Sequence, residues 1–172
     1  MTDLSSRIRA MSLVHEKLYR SESLARIDFQ NYLQSLISHL RTSFGSQSLH
    51  CEIAAQGVEM PLDLAVPCGM IINELMTNAL KYAFPKERAE QGIEDRISVS
   101  LHNDNGIFTL SVADNGIGLP PGVDLNSTAT LGLTLVQMLG EHQLGGQYVI
   151  DQVGGTKFTL TFSLQDGGKP YA

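Results

Sequence analysis

Two strands joined by a tight turn constrain this chain more than any other stretch of its sequence. Residues 96–102 alternate between polar and apolar side chains, and residues 107–113 do the same after the sequence NDNG. An Asn-Gly pair between two alternating runs is a strong signal for a β-hairpin. Side chains alternate across a strand, so the apolar face of the second strand continues to Asp114. The pattern predicts a sheet that turns a carboxylate inward at the end of a buried strand.

A polar stripe is predicted on a helix upstream of this hairpin. Residues 70–84 contain neither Gly nor Pro and end before Pro85, which predicts a helix. Glu74, Asn78 and Lys81 are spaced i, i+4 and i+7, so they share one face of an α-helix. This face offers a carboxylate for a proton, an amide oxygen for a metal ion and an amine for a phosphate. For the helix taken alone, a solvated amphipathic face is the preferred interpretation.

The composition excludes several classes of protein. The 172 residues fit one domain, and 42% hydrophobic residues are enough for a sizeable core. A formal net charge of −6 without a basic stripe argues against a nucleic-acid partner. No apolar run reaches the roughly 18 residues of a membrane-spanning helix, and the N-terminus lacks the apolar region of a signal peptide. Cys51 and Cys68 form no CxxC motif and are typical of reduced thiols, so we expect a cytoplasmic protein.

Two further helices are predicted near the N-terminus. Residues 3–21 have an apolar seam with 4-3-4-3 spacing, formed by Leu4, Ile8, Met11, His15 and Leu18. Such a seam needs a partner helix, which we expect in a second subunit or in an upstream segment. His15 is interpreted as a packed seam residue. Asp28 is the expected N-cap of the next helix, which Gly45 ends.

Shorter elements connect these helices to the sheet. Residues 49–60 are predicted to form two short strands around a turn. Residues 61–67 are expected to lead into the polar helix, which then starts at Cys68 or Gly69. Residues 86–95 are charged and lack an apolar pattern, so an exposed loop is predicted.

A glycine motif surrounds the inward carboxylate. Asp114 opens the sequence DNGIG, in which Gly116 and Gly118 permit positive φ and let the backbone approach a ligand closely. A buried carboxylate needs a hydrogen-bond partner, and beside such a loop it suits an exocyclic amino group such as that of adenine. The simpler interpretation of the motif is an Asx-Gly turn, which is common.

Three predicted features follow this motif. Residues 119–130 lack a periodic pattern and are predicted to form a lid-like loop. Gly132 lies near the start of a predicted helix, where free N–H groups can bind phosphate. A final hairpin is predicted across Gly154 and Gly155, and the hydroxyl of Thr156 faces inward. The other inward side chains of its last strand are Phe158, Leu160, Phe162 and Leu164.

Together these motifs resemble the ATP-binding catalytic domain of two-component sensor histidine kinases, in the GHKL superfamily with the Bergerat fold. NELMTNALKY at residues 73–82 resembles the N box, and residues 114–118 resemble the G1 box. LGL at residues 131–133 resembles the G2 box, and GTKF at residues 155–158 resembles the final Gly-Thr motif. The motifs follow the order of the family, and the match covers about residues 28–164.

The N-terminal helix resembles a second part of these kinases. Residues 7–19 resemble the second helix of the dimerisation and phosphotransfer hairpin in the branch related to the HWE kinases. In that branch the phosphoacceptor His lies on the first helix, which this chain does not contain, and His15 occupies a family-typical position on the second. Because Trp is absent, a sibling branch fits better than the HWE kinases themselves.

The resemblance implies roles for the polar helix and the G2 box. Asn78 would bind the Mg²⁺ that bridges the ATP phosphates, and Lys81 and Tyr82 would lie near the phosphates or the ribose. Glu74 would occupy the position of the general base in GHKL ATPases, so Glu74 and Lys81 are the catalytic candidates. The G2 positions that would bind nucleotide, with the glycine under the triphosphate, are Leu131, Gly132 and Leu133.

The resemblance also implies an adenine pocket. Asp114 would accept a hydrogen bond from the adenine amino group, with Thr156 in the same water-linked network. Gly116 and Gly118 would shape the pocket. ATP and Mg²⁺ are therefore the implied cofactors.

The expected fold is an α/β two-layer sandwich, a mixed and mostly antiparallel sheet covered by helices, plus an N-terminal helix. Residues 1–22 would be part of the dimerisation and phosphotransfer hairpin, residues 28–166 the catalytic domain and residues 167–172 a tail. The implied partners are a response regulator and a second copy of the chain, joined through the N-terminal helix. Neither nucleic acid nor a membrane contact by this segment is expected.

The implied reaction transfers the γ-phosphoryl group of ATP to a His nitrogen and then to a response-regulator Asp. Because the acceptor helix is missing, we expect that the chain alone does not autophosphorylate. The alternatives are a GHKL serine kinase of the anti-sigma-factor type, a non-catalytic nucleotide-binding or dimerisation module, and an ATP-hydrolysing GHKL protein. The seam helix argues against the serine kinase. Substitution of Asn78 or Asp114 separates an ATP site from a non-catalytic module.

Overall fold

The computed structural model describes Ser5, Ile8, Ser12 and residues 26–46, 48–119 and 131–164. The three N-terminal positions are helical and exposed. The other residues of the predicted seam, His15 among them, lie outside the described residues. Within the described part of the chain, no helix has the length and apolar character needed to cross a membrane.

A five-stranded sheet forms one layer. The strands in chain order are β1 (Ile27–Asp28), β2 (His50–Ala54), β3 (Glu59–Met60), β4 (Arg96–Asp104), β5 (Ile107–Asp114), β6 (Gln147–Asp151) and β7 (Thr156–Ser163). In the sheet the order is β2, β4, β5, β7, β6, while β1 and β3 pair separately. Among these strands, β2 and β4 run parallel and the other pairs are antiparallel. The predicted mixed, mostly antiparallel sheet is confirmed.

Helices form the second layer. They are α1 (Phe29–Ser43), α2 (Leu62–Asn78), α3 (Lys86–Glu90) and α4 (Leu131–Gln137), with π-helical segments that extend α2 through Ala79–Ala83 and α4 through Met138–Gln143. α2 packs against both α1 and α4. The core between the layers includes the fully buried side chains of Phe29, Tyr32, Leu36, Met76, Ile97, Leu101 and Phe108. This is the two-layer sandwich that the sequence predicts.

Local sequence signals account for the ends of α1 and for the first hairpin. The Asp28 side chain accepts a hydrogen bond from the N–H of Asn31 at 3.1 Å, which confirms the predicted N-cap. Gly45 follows the helix with a φ of 65°. In the hairpin, Asn105 and Gly106 have φ values of 50° and 89°, so both central residues are left-handed, as a type I′ turn requires.

The helix α2 begins earlier than predicted. Its first residue is Leu62, whereas the sequence pattern placed the start at Cys68 or Gly69. Pro67 lies inside the helix and is buried. Because proline lacks an N–H, Pro67 cannot bond the carbonyl of Asp63. Burial of the apolar face of α2 in the core compensates for the lost hydrogen bond.

Two other predictions are wrong. Residues 86–95 are not a loop throughout, because α3 starts directly after Pro85, whose φ of −65° is suited to the beginning of a helix. Leu164 does not face inward: it follows the end of β7 and is 38% exposed. The two-residue strand β1 carries no sequence pattern of its own and forms by pairing with β3.

Candidate functional site

Asp114 is the last residue of β5 and lies between two other strands. Its partners in the sheet are Ile97 of β4 and Thr156 of β7. The carboxylate oxygen Oδ1 accepts hydrogen bonds from the backbone N–H of Gly116, at 2.8 Å, and of Thr156, at 3.3 Å. The half-buried carboxylate thus has the hydrogen-bond partners that the sequence argument requires.

The electrostatics of Asp114 reflect these surroundings. Burial raises the pKa of Asp114 above its usual range. The N–H groups of Gly116 and Thr156 and the positive charge of Arg88 favour the ionised form and oppose this rise in pKa. Fixed donors therefore hold the carboxylate in a partly dry environment, which suits a single directed hydrogen bond to a ligand.

Glycines are required where the backbone passes closest to Asp114. A Cβ on Gly155 would overlap the carbonyl oxygen of Asp114, and Gly155 has a φ of 128°. A Cβ on Gly116 would overlap both the carbonyl oxygen and the side chain of Ala83. Gly118, with a φ of 75°, lies across from the carbonyl oxygen of Gly155. The structure therefore brings Asp114, Gly116, Gly118 and the start of β7 together.

The DNGIG loop is joined to the end of the polar helix. The N–H of Ile117 donates to the carbonyl oxygen of Ala83 at 3.0 Å. Ala83 is the last residue of the π-helical segment that extends α2, and Gly116 packs directly on it. The loop that begins at Asp114 and the helix that contains Asn78 are therefore adjacent parts of one surface.

The polar residues of α2 differ in exposure. Glu74 is 5% exposed, Asn78 is half-buried, and Lys81 is exposed. A buried carboxylate does not belong to a solvated face, so that interpretation fails for Glu74. Asn78 lies one helical turn after Glu74 and shares its face, whereas Lys81 lies in the π-helical segment, where the α-helical spacing used in the prediction does not apply. Tyr82, in the same segment, is 68% exposed.

The third predicted segment is the start of α4. Among the described residues this helix begins at Leu131, which is 74% exposed, and continues with the buried Gly132 and the half-buried Leu133. α4 packs against α2, so these residues belong to a helix in contact with the one that contains Asn78. Apart from Leu119, the predicted lid lies outside the described residues.

Family comparisons agree with this arrangement. Residues 63–166 match the family described as histidine kinase-, DNA gyrase B-, and HSP90-like ATPase, and this match covers more than half of the chain. The chain belongs to that family. Residues 1–44 match a second family, described as histidine kinase. Membership of the ATPase family implies that this histidine kinase-like domain binds ATP.

Two relatives of this ATPase-family chain are histidine kinases. Blue-light-activated histidine kinase 2 of Erythrobacter litoralis (strain HTCC2594) is 27% identical over 157 residues, which is 89% of this chain and 44% of that protein. Sensor histidine kinase PdtaS of Mycobacterium tuberculosis (strain ATCC 25618 / H37Rv) is 34% identical over 84 residues, which is 49% of this chain and 16% of that protein. The chain spans less than half the length of either relative.

Solved structures show the same fold. The histidine kinase domain of the Erythrobacter litoralis EL346 blue-light activated histidine kinase matches with a TM-score of 0.79 and 25% identity, covering 92% of this chain and 78% of that one. The catalytic domain of histidine kinase ThkA matches with a TM-score of 0.56 over 80% of this chain and 94% of that one. At 15% identity, ThkA shows the fold alone. The fold of this chain is therefore the fold of histidine kinase catalytic domains.

Two residues near the site of this domain were missed by the sequence argument. The side chain of Asn115 accepts a hydrogen bond from the N–H of Arg96 and donates one to the carbonyl of Glu94, both at 2.8 Å. Arg88 donates from Nη2 to the carbonyl oxygen of Asn115 at 2.7 Å. Asn115 stands inside the recognised DNGIG motif, which was a usable signal. Arg88 stands in a charged stretch without periodicity, so nothing in the sequence distinguishes it.

The donor groups of the domain limit how it could hold a metal ion. In residues 26–46, 48–119 and 131–164, no three His, Cys, Asp or Glu side chains converge on a possible metal site. Mg²⁺ in nucleotide sites is commonly held by one or two protein groups, completed by phosphate oxygens and water. Asn78 offers one amide oxygen from a half-buried position, which fits that kind of site.

A surface pocket lies between α4 and the hairpin of β6 and β7, and Asp114 is not among the residues that line it. Its lining is mostly apolar and consists of Leu133, Val136, Gln137, Tyr148, Ile150 and Phe158. No ionisable group other than the tyrosine lines it, so it does not provide the chemistry of the site. Of the predicted nucleotide-binding residues, Leu133 alone lines this pocket.

Proposed function

We propose that this domain binds Mg-ATP with its adenine at Asp114 and its phosphates toward Asn78, and presents the γ-phosphoryl group to a histidine. The observation that carries the proposal is the arrangement of Asp114. Both backbone hydrogen bonds go to Oδ1, so Oδ2 is the atom that we assign to the adenine amino group. A few fixed polar groups at the edge of an apolar core are typical of small-molecule sites.

The base end of the proposed site includes the start of β7. Thr156 is half-buried and pairs with Asp114 in the sheet, so its hydroxyl is assigned to a water shared with the base. We assign Gly116 and Gly118 to the shape of the adenine pocket. Without side chains, they let the loop pack closely against Ala83 and Gly155 beside the carboxylate.

The phosphate end includes α2, its π-helical extension and the start of α4. We assign Asn78 to Mg²⁺, and Lys81 and Tyr82 to the phosphates or ribose, because the latter two are exposed beside it. Leu131, Gly132 and Leu133 begin the neighbouring helix, with Gly132 under the triphosphate. When bound, Mg²⁺ would neutralise charge on the phosphates, which is a main requirement of phosphoryl transfer.

In the proposed reaction, a histidine ring nitrogen bonds to the γ-phosphorus while the bond to the β,γ-bridging oxygen breaks and ADP leaves. Glu74 is buried one helical turn before Asn78, and we assign it the proton that the attacking imidazole gives up. Lys81 is assigned to the negative charge that develops on the transferred group.

In the whole protein, we propose that the phosphoryl group passes from the histidine to an aspartate of a response regulator. We also propose that two copies associate through the N-terminal helix and that this segment is cytoplasmic. The similarity to sensor histidine kinases supports the relay, and the match of residues 1–44 to a histidine kinase family supports the association. Cys51 and Cys68 are free thiols, which supports the location.

Calorimetric titration with Mg-ATP tests the proposed site. Asn78→Ala and Asp114→Asn are each expected to weaken binding at least about tenfold, because each removes a polar contact that a charged ligand needs. Asp104→Asn, at the far end of the same hairpin, is the matched control and should bind like the native chain. Native affinity in both site variants would contradict the proposal.

Incubation with γ-labelled ATP tests the fate of the phosphoryl group. We expect no label on His15, which the resemblance assigns to a non-acceptor position. Label that appears on the chain and is lost in His15→Gln would contradict that assignment. Steady release of phosphate without any protein acceptor would favour the ATP-hydrolysing alternative.

A further inference from the structure

Arg88 connects three segments around the G1 motif. It lies on the short helix α3, and its side chain is 14% exposed. Its Nε donates to Oδ1 of Asp95 at 3.0 Å, and its Nη2 donates to the carbonyl oxygen of Asn115 at 2.7 Å. The guanidinium carbon lies 5.8 Å from the centre of the Phe84 ring. The cation is therefore nearly buried, with two directed hydrogen bonds and an aromatic neighbour.

The bond from Arg88 to Asn115 reaches Asp114 through a single peptide unit. The carbonyl of Asn115 and the N–H of Gly116 belong to the same planar group. That N–H is the donor that holds Oδ1 of Asp114 at 2.8 Å. Fixing the carbonyl therefore fixes the direction of the N–H, and a charged donor on the carbonyl strengthens the hydrogen bond on the other side.

Among the described residues, Arg88 also acts electrostatically on Asp114 from the helical layer. Its positive charge favours the ionised carboxylate and opposes the effect of burial on the pKa of Asp114. In the sheet, the uncharged Ile97 and Thr156 lie opposite Asp114. The exposed Arg96 and Lys157, next to these partners, alternate to the other face of the sheet.

We propose that Arg88 is a positioning residue for base recognition: through the peptide between Asn115 and Gly116, it sets the direction and the charge of the Asp114 carboxylate. This inference rests on the proposed assignment of Asp114 to the adenine amino group. Arg88 touches no part of the nucleotide in this account. Its effect should therefore depend on whether the ligand has a 6-amino group.

The test compares Mg-ATP with Mg-purine riboside triphosphate, which lacks the 6-amino group. Arg88→Met should lower the affinity for ATP about tenfold while changing the affinity for the analogue less than about twofold. Arg96→Met removes an exposed arginine whose backbone bonds the same loop, and it should leave both affinities unchanged. Equal weakening of both ligands, or unchanged ATP affinity in Arg88→Met, would overturn the proposal.

A pH series separates positioning from a merely structural role. Without the Arg88 cation, the pKa of Asp114 rises further. As the pH is lowered, the preference for ATP over the analogue should therefore disappear at a higher pH in Arg88→Met than in the native chain. Arg88→Lys keeps the charge but not the forked donor, so it should keep the native pH midpoint with a reduced ATP preference. An unmoved midpoint in Arg88→Met would contradict the proposal.

Arg88→Lys and Asp114→Asn distinguish a failure of the role of Arg88 from a failure of the role of Asp114. If Arg88→Met does not fold, Arg88→Lys carries the test alone, and an unchanged ratio of ATP to analogue affinity in that variant overturns the inference. Asp114→Asn tests the underlying assignment. If Asp114→Asn keeps the native preference for ATP, the proposed function of Asp114 fails; if it loses that preference while Arg88→Lys does not, only the role of Arg88 fails.

Discussion

The two ends of the proposed ATP site are built from different parts of the protein. At the base end, Asp114 is held by backbone N–H groups of its own loop and of β7, and Gly155 passes too close to it for any side chain. At the phosphate end, side chains extend from a helix, and exposure increases from the half-buried Asn78 to the exposed Lys81 and Tyr82.

This difference determines which substitutions change the stability of the fold and which change only ligand binding. The base end is part of the hydrogen bonding of the sheet, so its residues contribute to stability whether or not a ligand is present. The phosphate end lies on the surface of a helix whose packing depends on its opposite, apolar side. Substitutions at the base end should therefore change stability or its pH dependence, whereas substitutions at the exposed phosphate end should change binding alone.

The largest expected effect is on stability at the base end. In Gly155→Ala, the new Cβ meets the carbonyl oxygen of Asp114 at a positive φ, so we expect a loss of about 3 kcal/mol in the free energy of unfolding. Gly154→Ala is the matched control, because Gly154 also has a positive φ but open space around it, and it should lose about 1 kcal/mol. Urea unfolding measures both. Equal losses of stability in the two variants would show that the contact between a Cβ at Gly155 and the carbonyl oxygen of Asp114 is not the cause of the loss.

The second-largest effect separates the contribution of Asp114 to ATP binding from its contribution to stability. In Asp114→Asn, the amide oxygen must take the place of Oδ1 to accept the N–H groups of Gly116 and Thr156, which turns the amide NH₂ toward the adenine amino group. Two donors then face each other, so we expect about 2 kcal/mol loss of ATP binding with no loss of stability at neutral pH. A marked fall in melting temperature at neutral pH would show that the carboxylate is structural.

The same variant has a signed pH dependence. Since the pKa of Asp114 is raised in the folded protein, the folded state favours the protonated form. Asp114 should therefore lower the free energy of unfolding of the native chain as the pH rises from the ordinary carboxyl pKa through the raised pKa of the folded state. Asp114→Asn lacks that decline, so its stability relative to the native chain should increase across this window. Melting curves of both proteins from pH 3 upward measure the difference, and a constant or reversed difference would contradict the account.

The smallest effect is expected at the phosphate end. Lys81→Met should weaken Mg-ATP binding by about 1 kcal/mol, because an exposed cation acts on the phosphates through a largely screened interaction. Its free energy of unfolding should stay within about 0.5 kcal/mol of the native value. Lys157→Met, an exposed lysine on the other face of the sheet, serves as the control and should change neither quantity. A larger loss of stability in Lys81→Met would remove the contrast between the two ends.

The parts of the fold that follow local rules could be predicted from the sequence. The Asn105–Gly106 turn, the N-cap at Asp28 and the inward position of Asp114 each follow from a residue type at a given spacing. They are determined by the chain within a few residues, so a pattern suffices.

The remaining features depend on tertiary packing. Pro67 reads as a helix boundary, yet it lies inside α2 because the surrounding apolar face is buried. The π-helical segment after Asn78 carries no sequence signature. The parallel pairing of β2 with β4 joins residues far apart in the chain. Arg88 was missed for the same reason: its function depends on Asn115, which the fold brings to it.

The central claim is that Asp114 recognises the base and Asn78 the metal-bound phosphates, independently of each other. Titrations of ATP and of the analogue without the 6-amino group, each with Mg²⁺ and with a chelator, measure both contributions in the native chain, Asn78→Ala and Asp114→Asn. We expect Asn78→Ala to abolish the gain in affinity from Mg²⁺ and to keep the preference for ATP over the analogue. We expect Asp114→Asn to do the reverse. A native Mg²⁺ gain in Asn78→Ala, or a native preference for ATP in Asp114→Asn, would contradict the claim.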